Sequence, residues 1–278
     1  MRRHTSKEAA RKESFLPVFL VWVLPWAIAI PLAANLGQFL PSTEPASTEV
    51  AVSALLQFIL TLVVFIVLIR LFGTRLLAVG SMITVGVGTM VFLNAVLGVD
   101  AITSFLAAVS LMIIAQTTQA LWYHNGLILI GLLGLGLALG STFSPGVFLG
   151  LLIVLSIYDL FAVFSNFIPN LVHQMAKNHE PIYVLLLIPQ TWREWFLLNK
   201  KSRLRVIGTG DIFAPLLFLT ALAGSGQVTL AWICFVGAVF GVLGNIALMQ
   251  SNHFKRGIPA LPLLTVGIIV AQVLTLLF

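Results

Sequence analysis

The sequence predicts an all-α, polytopic membrane protein: one membrane domain of nine transmembrane helices. Three observations carry this expectation. Apolar residues fill 59% of the 278 positions and charged residues only 9%, against about 25% charged in an ordinary soluble domain, and mean hydropathy is +1.07. So few polar side chains cannot cover a water-facing surface, so most of the surface must meet lipid or other helices. The apolar residues also fall in runs close to the ~20 residues needed to cross a ~30 Å hydrocarbon core. Finally, the basic residues collect in alternate connections between those runs.

Taken in order, the expected spans are residues 15–36, 50–69, 77–98, 101–121, 126–142, 145–168, 206–223, 228–249 and 259–277. The first follows a basic stretch (Arg2, Arg3, Lys7, Arg11, Lys12). Its length exceeds the roughly 7–15 apolar residues of a secretory signal, so it reads as a retained span. Turn-like segments separate the runs: Pro41-Ser42-Thr43-Glu44-Pro45, His124-Asn125-Gly126, Ser144-Pro145-Gly146 and Gly224-Ser225-Gly226. Glycines spaced four apart, Gly136 with Gly140 and Gly237 with Gly241, offer small faces for close helix packing. The one long connection, 169–205, contains a short apolar stretch from Tyr183 to Ile188. It is too short to span and reads as a re-entrant or interfacial helix.

Charge sets the expected orientation. With nine spans and a cytoplasmic N-terminus, the inner segments hold all fifteen Lys and Arg: five in the tail, Arg70 and Arg75, six in the long loop, and Lys255 with Arg256. The outer segments hold none, while Glu44, Glu49 and Asp100 fall there. Such segregation follows the positive-inside rule and places the C-terminus outside. The net charge of +6 is thereby explained by topology anchors, and no nucleic-acid partner is expected. The single cysteine, Cys234, supports neither a disulfide nor a thiolate metal cage, and no metal site is expected.

Of the three aspartates and six glutamates, only Asp159 and Asp211 fall inside expected spans. An aspartate at the centre of a spanning helix costs about 2.5–3.5 kcal/mol on insertion scales, so an intramembrane acid is a functional residue by default. Counted along the helices, Asp159 lies ~14 Å and Asp211 ~8 Å from the cytoplasmic ends of spans six and seven. Both occupy the same half of the bilayer and can meet across a helix pair. Two carboxylates held together at low dielectric share one proton. One then takes a proton from water while the other donates to a carbonyl oxygen, as amide hydrolysis requires. The same pair also suits an ion- or proton-coupled transporter or leak channel, and the acids alone do not choose between them.

Other hydrolytic chemistries fit less well. All five histidines fall in expected loops, which leaves a buried serine without a histidine base. His179-Glu180 begins like a zinc-protease motif, but that motif needs a second histidine where Tyr183 stands.

Three local motifs decide the reading. Tyr158-Asp159 lies in span six, Gly208-Thr209-Gly210-Asp211 opens span seven, and Pro259-Ala260-Leu261 opens span nine. Singly each is ordinary; an aspartate beside a helix N-terminus, for instance, is favoured by the helix dipole. Together and in this order they resemble the presenilin and signal peptide peptidase family of Gly-x-Gly-Asp intramembrane aspartyl proteases. Asn178-His179-Glu180-Pro181-Ile182-Tyr183 is similar to the presenilin segment behind the sixth span, while Pro215 is closer to the signal peptide peptidase pattern.

The resemblance runs from about residue 145 to the end of the chain, and it implies a presenilin-like fold with Asp159 and Asp211 as the catalytic dyad. Tyr158, Gly208, Gly210, Pro259, Ala260 and Leu261 are then expected to shape the site or contact substrate. Transmembrane protein substrates in the lipid bilayer are implied, with no cofactor. Lacking the large hydrophilic loop of eukaryotic relatives, the chain reads as a compact microbial homologue in the plasma membrane, working without accessory subunits. A cytoplasmic N-terminus matches presenilins and predicts substrates whose own N-terminus lies outside. A prepilin-type peptidase shares Gly-x-Gly-Asp but lacks the Pro-Ala-Leu segment, and a catalytically silent scaffold would tolerate loss of either acid.

Overall fold

The computed structural model describes residues 15–37, six positions between 53 and 67, and then 74–118, 120–165, 183, 185–189, 204–250 and 258–277. Among these, eight helices and one hairpin follow in the order α1 (Phe15–Gly37), α2 (Thr74–Leu97), α3 (Ala101–Thr117), α4 (Leu121–Gly140), α5 (Pro145–Phe164), β1 (Leu185–Pro189), β2 (Leu204–Gly208), α6 (Thr209–Gly224), α7 (Val228–Gln250) and α8 (Leu261–Leu277). Five of them (α1, α2, α4, α5 and α7) are long and apolar enough to cross a bilayer, while α3, α6 and α8 are shorter apolar helices. Positions 53, 56, 57, 60, 64 and 67 of the expected second span are helical and exposed. The rest of that span lies outside the described residues, as do the N-terminal tail, most of the long loop with His179, and Lys255 with Arg256.

Many large apolar side chains face outward. On α3 the exposed residues include Ile102, Phe105, Leu106, Val109 and Ile113, while Ser104, Ala108, Met112 and Ala115 face inward. Small and polar residues inside with bulky ones outside is the pattern of helices packed in lipid. Asp100 caps the N-terminus of α3, its Oδ1 accepting from the backbone N–H of Ile102 and Thr103 at 3.1 and 3.0 Å.

At the centre stands α6, buried from Ala214 through Ala223 and packed against α1, α4, α5, α7 and α8. Glycines set its close contacts. A Cβ on Gly136 would meet Leu216 Cδ2 at 2.7 Å, and one on Gly140 would strike Thr220; Thr220 Oγ1 donates to the Gly136 carbonyl at 2.9 Å. On α7 a Cβ at Gly241 would meet the Leu263 carbonyl and Leu264 Cα of α8 at 2.7 Å. Both glycine pairs expected from the sequence are therefore helix contacts.

Three sequence expectations need correction. The stretch from Tyr183 to Ile188 is not a helix: Leu185–Pro189 is a strand pairing antiparallel with Leu204–Gly208, Leu187 opposite Val206. An apolar run this short is compatible with either state, and strand pairing supplies the backbone partners. Span seven does not begin at 206, because Val206 and Ile207 belong to β2 and the helix starts at Thr209. His124-Asn125-Gly126 is not a turn but part of α4, which already begins at Leu121, so His124 is no loop residue. The reason is tertiary. Buried Asn125 spends its amide on the hairpin, Nδ2 donating to the Leu187 carbonyl at 2.7 Å and Oδ1 accepting from the Leu187 N–H at 3.1 Å.

Candidate active site

Asp159 lies near the end of α5, whose last residue is Phe164 with Ser165 as its cap; residues 166–168 of the expected span lie outside the described residues. Asp211 is the third residue of α6. Each acid thus sits within about 8 Å of its own helix end, and their depths agree more closely than the sequence estimate. Because α5 packs on α6, the two carboxyls come within electrostatic reach of each other. Asp159 is buried and Asp211 half-buried.

The Pro-Ala-Leu segment completes the surroundings. Its residues 258–260 are irregular, and α8 begins at Leu261. Prolines at 259 and 262 lack backbone donors, whereas Ala260 and Leu261 keep theirs. The Leu261 N–H donates to Asp159 Oδ2 at 3.1 Å, and the neighbouring Ala260 N–H also acts electrostatically on this carboxyl. The Ala260 carbonyl in turn accepts from Asn245 Nδ2 of α7 at 2.9 Å. One helical turn before Asp159, buried Ser156 shares a hydrogen bond with Thr265 of α8, tying α5 to α8 beneath the site. Such irregular backbone survives at membrane depth only where protein or a water-lined cavity satisfies it.

Each remaining expected residue can be placed. Tyr158 is half-buried and within electrostatic reach of Asp159. Gly208 ends β2, and a Cβ there would approach Asp211 Oδ2 to 3.3 Å. The tight approach at 208 thus comes from the acid itself, not from a neighbouring helix. Gly210 is exposed with open space around its Cβ position, so helix packing does not account for it. Pro259 is half-buried, while Ala260 and Leu261 are buried. Pro215, inside α6, removes the N–H that would bond the Asp211 carbonyl four residues earlier. One residue further on, the Ile212 carbonyl accepts from Trp26 Nε1 of α1 at 2.8 Å.

The sequence reading missed Asn245, Ser156, Thr265 and Asn125. All four are buried polar residues, and their occurrence inside apolar runs was the available signal.

A helical membrane bundle with an acid on each of two adjoining helices defines a class that includes hydrolases and transporters; the fold narrows it. The chain superposes on two solved structures described as a presenilin family intramembrane aspartate protease. For the C222 crystal form the TM-score is 0.61 at 17% identity, covering 93% of this chain and 98% of that one. For the P2 form the values are 0.58, 20%, 94% and 98%. The fold is therefore that of presenilin-family intramembrane aspartate proteases. By sequence, no protein-family model and no curated protein matches the chain.

Proposed function

We propose that this protein is an intramembrane aspartyl protease of the Gly-x-Gly-Asp type, cleaving peptide bonds within transmembrane helices of other membrane proteins. What supports the reading is that Asp159 and Asp211 stand on adjoining helices within electrostatic reach of each other, with the Leu261 N–H on the Asp159 carboxyl. The shared fold supports it.

The chemistry follows from one proton held between two acids. The ionised carboxylate removes a proton from water, and the water oxygen bonds to the scissile carbonyl carbon. The protonated acid gives its proton to the carbonyl oxygen, forming a neutral gem-diol. Collapse of the gem-diol breaks the C–N bond as a proton passes to the leaving nitrogen, and the shared proton is restored. A substrate helix hides its amides in i→i−4 hydrogen bonds, so it must open locally before water attacks. The β1–β2 hairpin joins α6 directly and offers strand-type backbone against which an opened segment can lie extended. The orientation expected from charge gives substrates with their N-terminus outside the cell membrane, and in this reading the protein works without accessory subunits.

The test is Asp159→Asn and Asp211→Asn, each reconstituted with a single-span substrate in both orientations. Each variant should lose cleavage while keeping its thermal unfolding profile. Full cleavage by either variant rejects the dyad, and equal cleavage of both orientations rejects the orientation preference. Ion flux through liposomes without any peptide substrate would point instead to a transporter.

A further inference from the structure

One peptide group at the site is held at both ends. The peptide joining Ala260 to Leu261 accepts through its carbonyl from Asn245 Nδ2 at 2.9 Å and donates through its N–H to Asp159 Oδ2 at 3.1 Å. Three chain segments thus form one line: α7, the turn before α8, and α5. The Ala260 carbonyl can only accept, so the NH₂ side of the Asn245 amide must face it. Asn245 Oδ1 then points away and has no partner among the described residues. Asn245 is only 1% exposed, and an amide buried in a spanning helix with half its hydrogen-bonding capacity unused is a costly choice for packing alone. Packing here is already served by Gly237 and Gly241, the close-contact points of α7 on α8.

We infer that Asn245 is a positioning residue that acts through the Ala260–Leu261 peptide on Asp159. Donation into a peptide carbonyl polarises the group and strengthens its N–H as a donor. It also fixes the plane of a peptide flanked by two prolines, which neighbouring helical hydrogen bonds do not hold on both sides. The consequence is a single Asp159 carboxyl orientation facing Asp211, set from a helix that carries neither acid. This rests on the proteolytic reading for its kinetic expression, but not for its spectroscopic one.

Asn245→Leu removes the donor at nearly constant volume. In the reconstituted full chain it should lower kcat roughly tenfold to a hundredfold, the scale of small misplacements at reacting groups, with KM within about twofold. The infrared carboxyl band of Asp159, identified as the band lost in Asp159→Asn, should shift in Asn245→Leu. Asn245→Gln, which keeps an amide on a longer stem, should recover part of both effects. Asn245→Ser carries the same test if the leucine variant does not fold. An unshifted Asp159 band overturns the inference, whether or not kcat falls, and so does an unchanged kcat in an active enzyme. A parent protein that cleaves nothing counts against the proteolytic reading, and the infrared band still decides the role of Asn245.

Discussion

Asn125 offers the most direct test of how the hairpin is held. Its side chain makes two hydrogen bonds to one residue of β1, at 2.7 and 3.1 Å to the carbonyl and N–H of Leu187. An amide with this geometry occupies the outer edge of β1 as another strand would. Because both backbone groups of Leu187 face Asn125, Leu187 and Val206 form a pair that does not exchange hydrogen bonds. Asn125→Leu keeps the volume and removes both bonds. At about 1 kcal/mol net for each, the docked hairpin loses ~2 kcal/mol, roughly a thirtyfold shift towards undocking. Amide exchange read by mass spectrometry in micelles reports this directly, because the Leu187 N–H is itself one of the lost partners. Exchange across 185–189 and 204–208 should accelerate by about that factor, while α7 and α8 stay protected. Unchanged exchange at Leu187 would refute the claim that Asn125 anchors the hairpin.

Three further outcomes follow from the packing and caps. Gly237→Ala places a Cβ 2.7 Å from Ala271 Cβ and against the Gly267 backbone; thermal unfolding in micelles should show a loss of about 1–3 kcal/mol, whereas Gly146→Ala, with open space at its Cβ, should be close to neutral. Trp26→Phe keeps an aromatic ring but removes the donor to the Ile212 carbonyl, and denaturant unfolding should register about 1 kcal/mol of lost stability; no loss would mean that bond contributes nothing. Asp100 is held below the ordinary aspartate range, first by the Thr103 side chain and then by the Thr103 and Ile102 backbone amides. A depressed carboxyl stabilises the fold above its unfolded value and stops doing so as pH falls through the folded one, so protection of the Thr103 amide should weaken only below the usual carboxylate range and be absent at all pH values in Asp100→Ala.

Much of the bundle was legible because hydrophobic run length is a strong signal in lipid. Eight of the expected spans overlap described helices, with ends displaced by a few residues. The two acids stood out for the same reason, being costly where they lie. The hairpin was not legible, because Leu185-Leu186-Leu187-Ile188 is apolar without alternation, and Val206-Ile207 lies only four residues ahead of the apolar run that begins at Ile212. Nothing local distinguishes such a strand from helix; its partners lie nearly twenty residues away and on α4. The glycine-rich fifth span likewise began earlier than expected, since Asn125 resembles a turn residue until its partner at Leu187 is known. What the sequence could not give was which polar residues meet: Asn245 with Ala260, and Ser156 with Thr265, are pairings made only by tertiary approach.

Gly208 closes β2 and Thr209 opens α6, with no residue between them. The strand therefore runs straight into the first turn of the helix, where Asp211 resides. Beyond that turn the body of α6 is buried among α1, α4, α5, α7 and α8. Whatever pairs along the strand therefore ends three residues from the acid, with no loop between them.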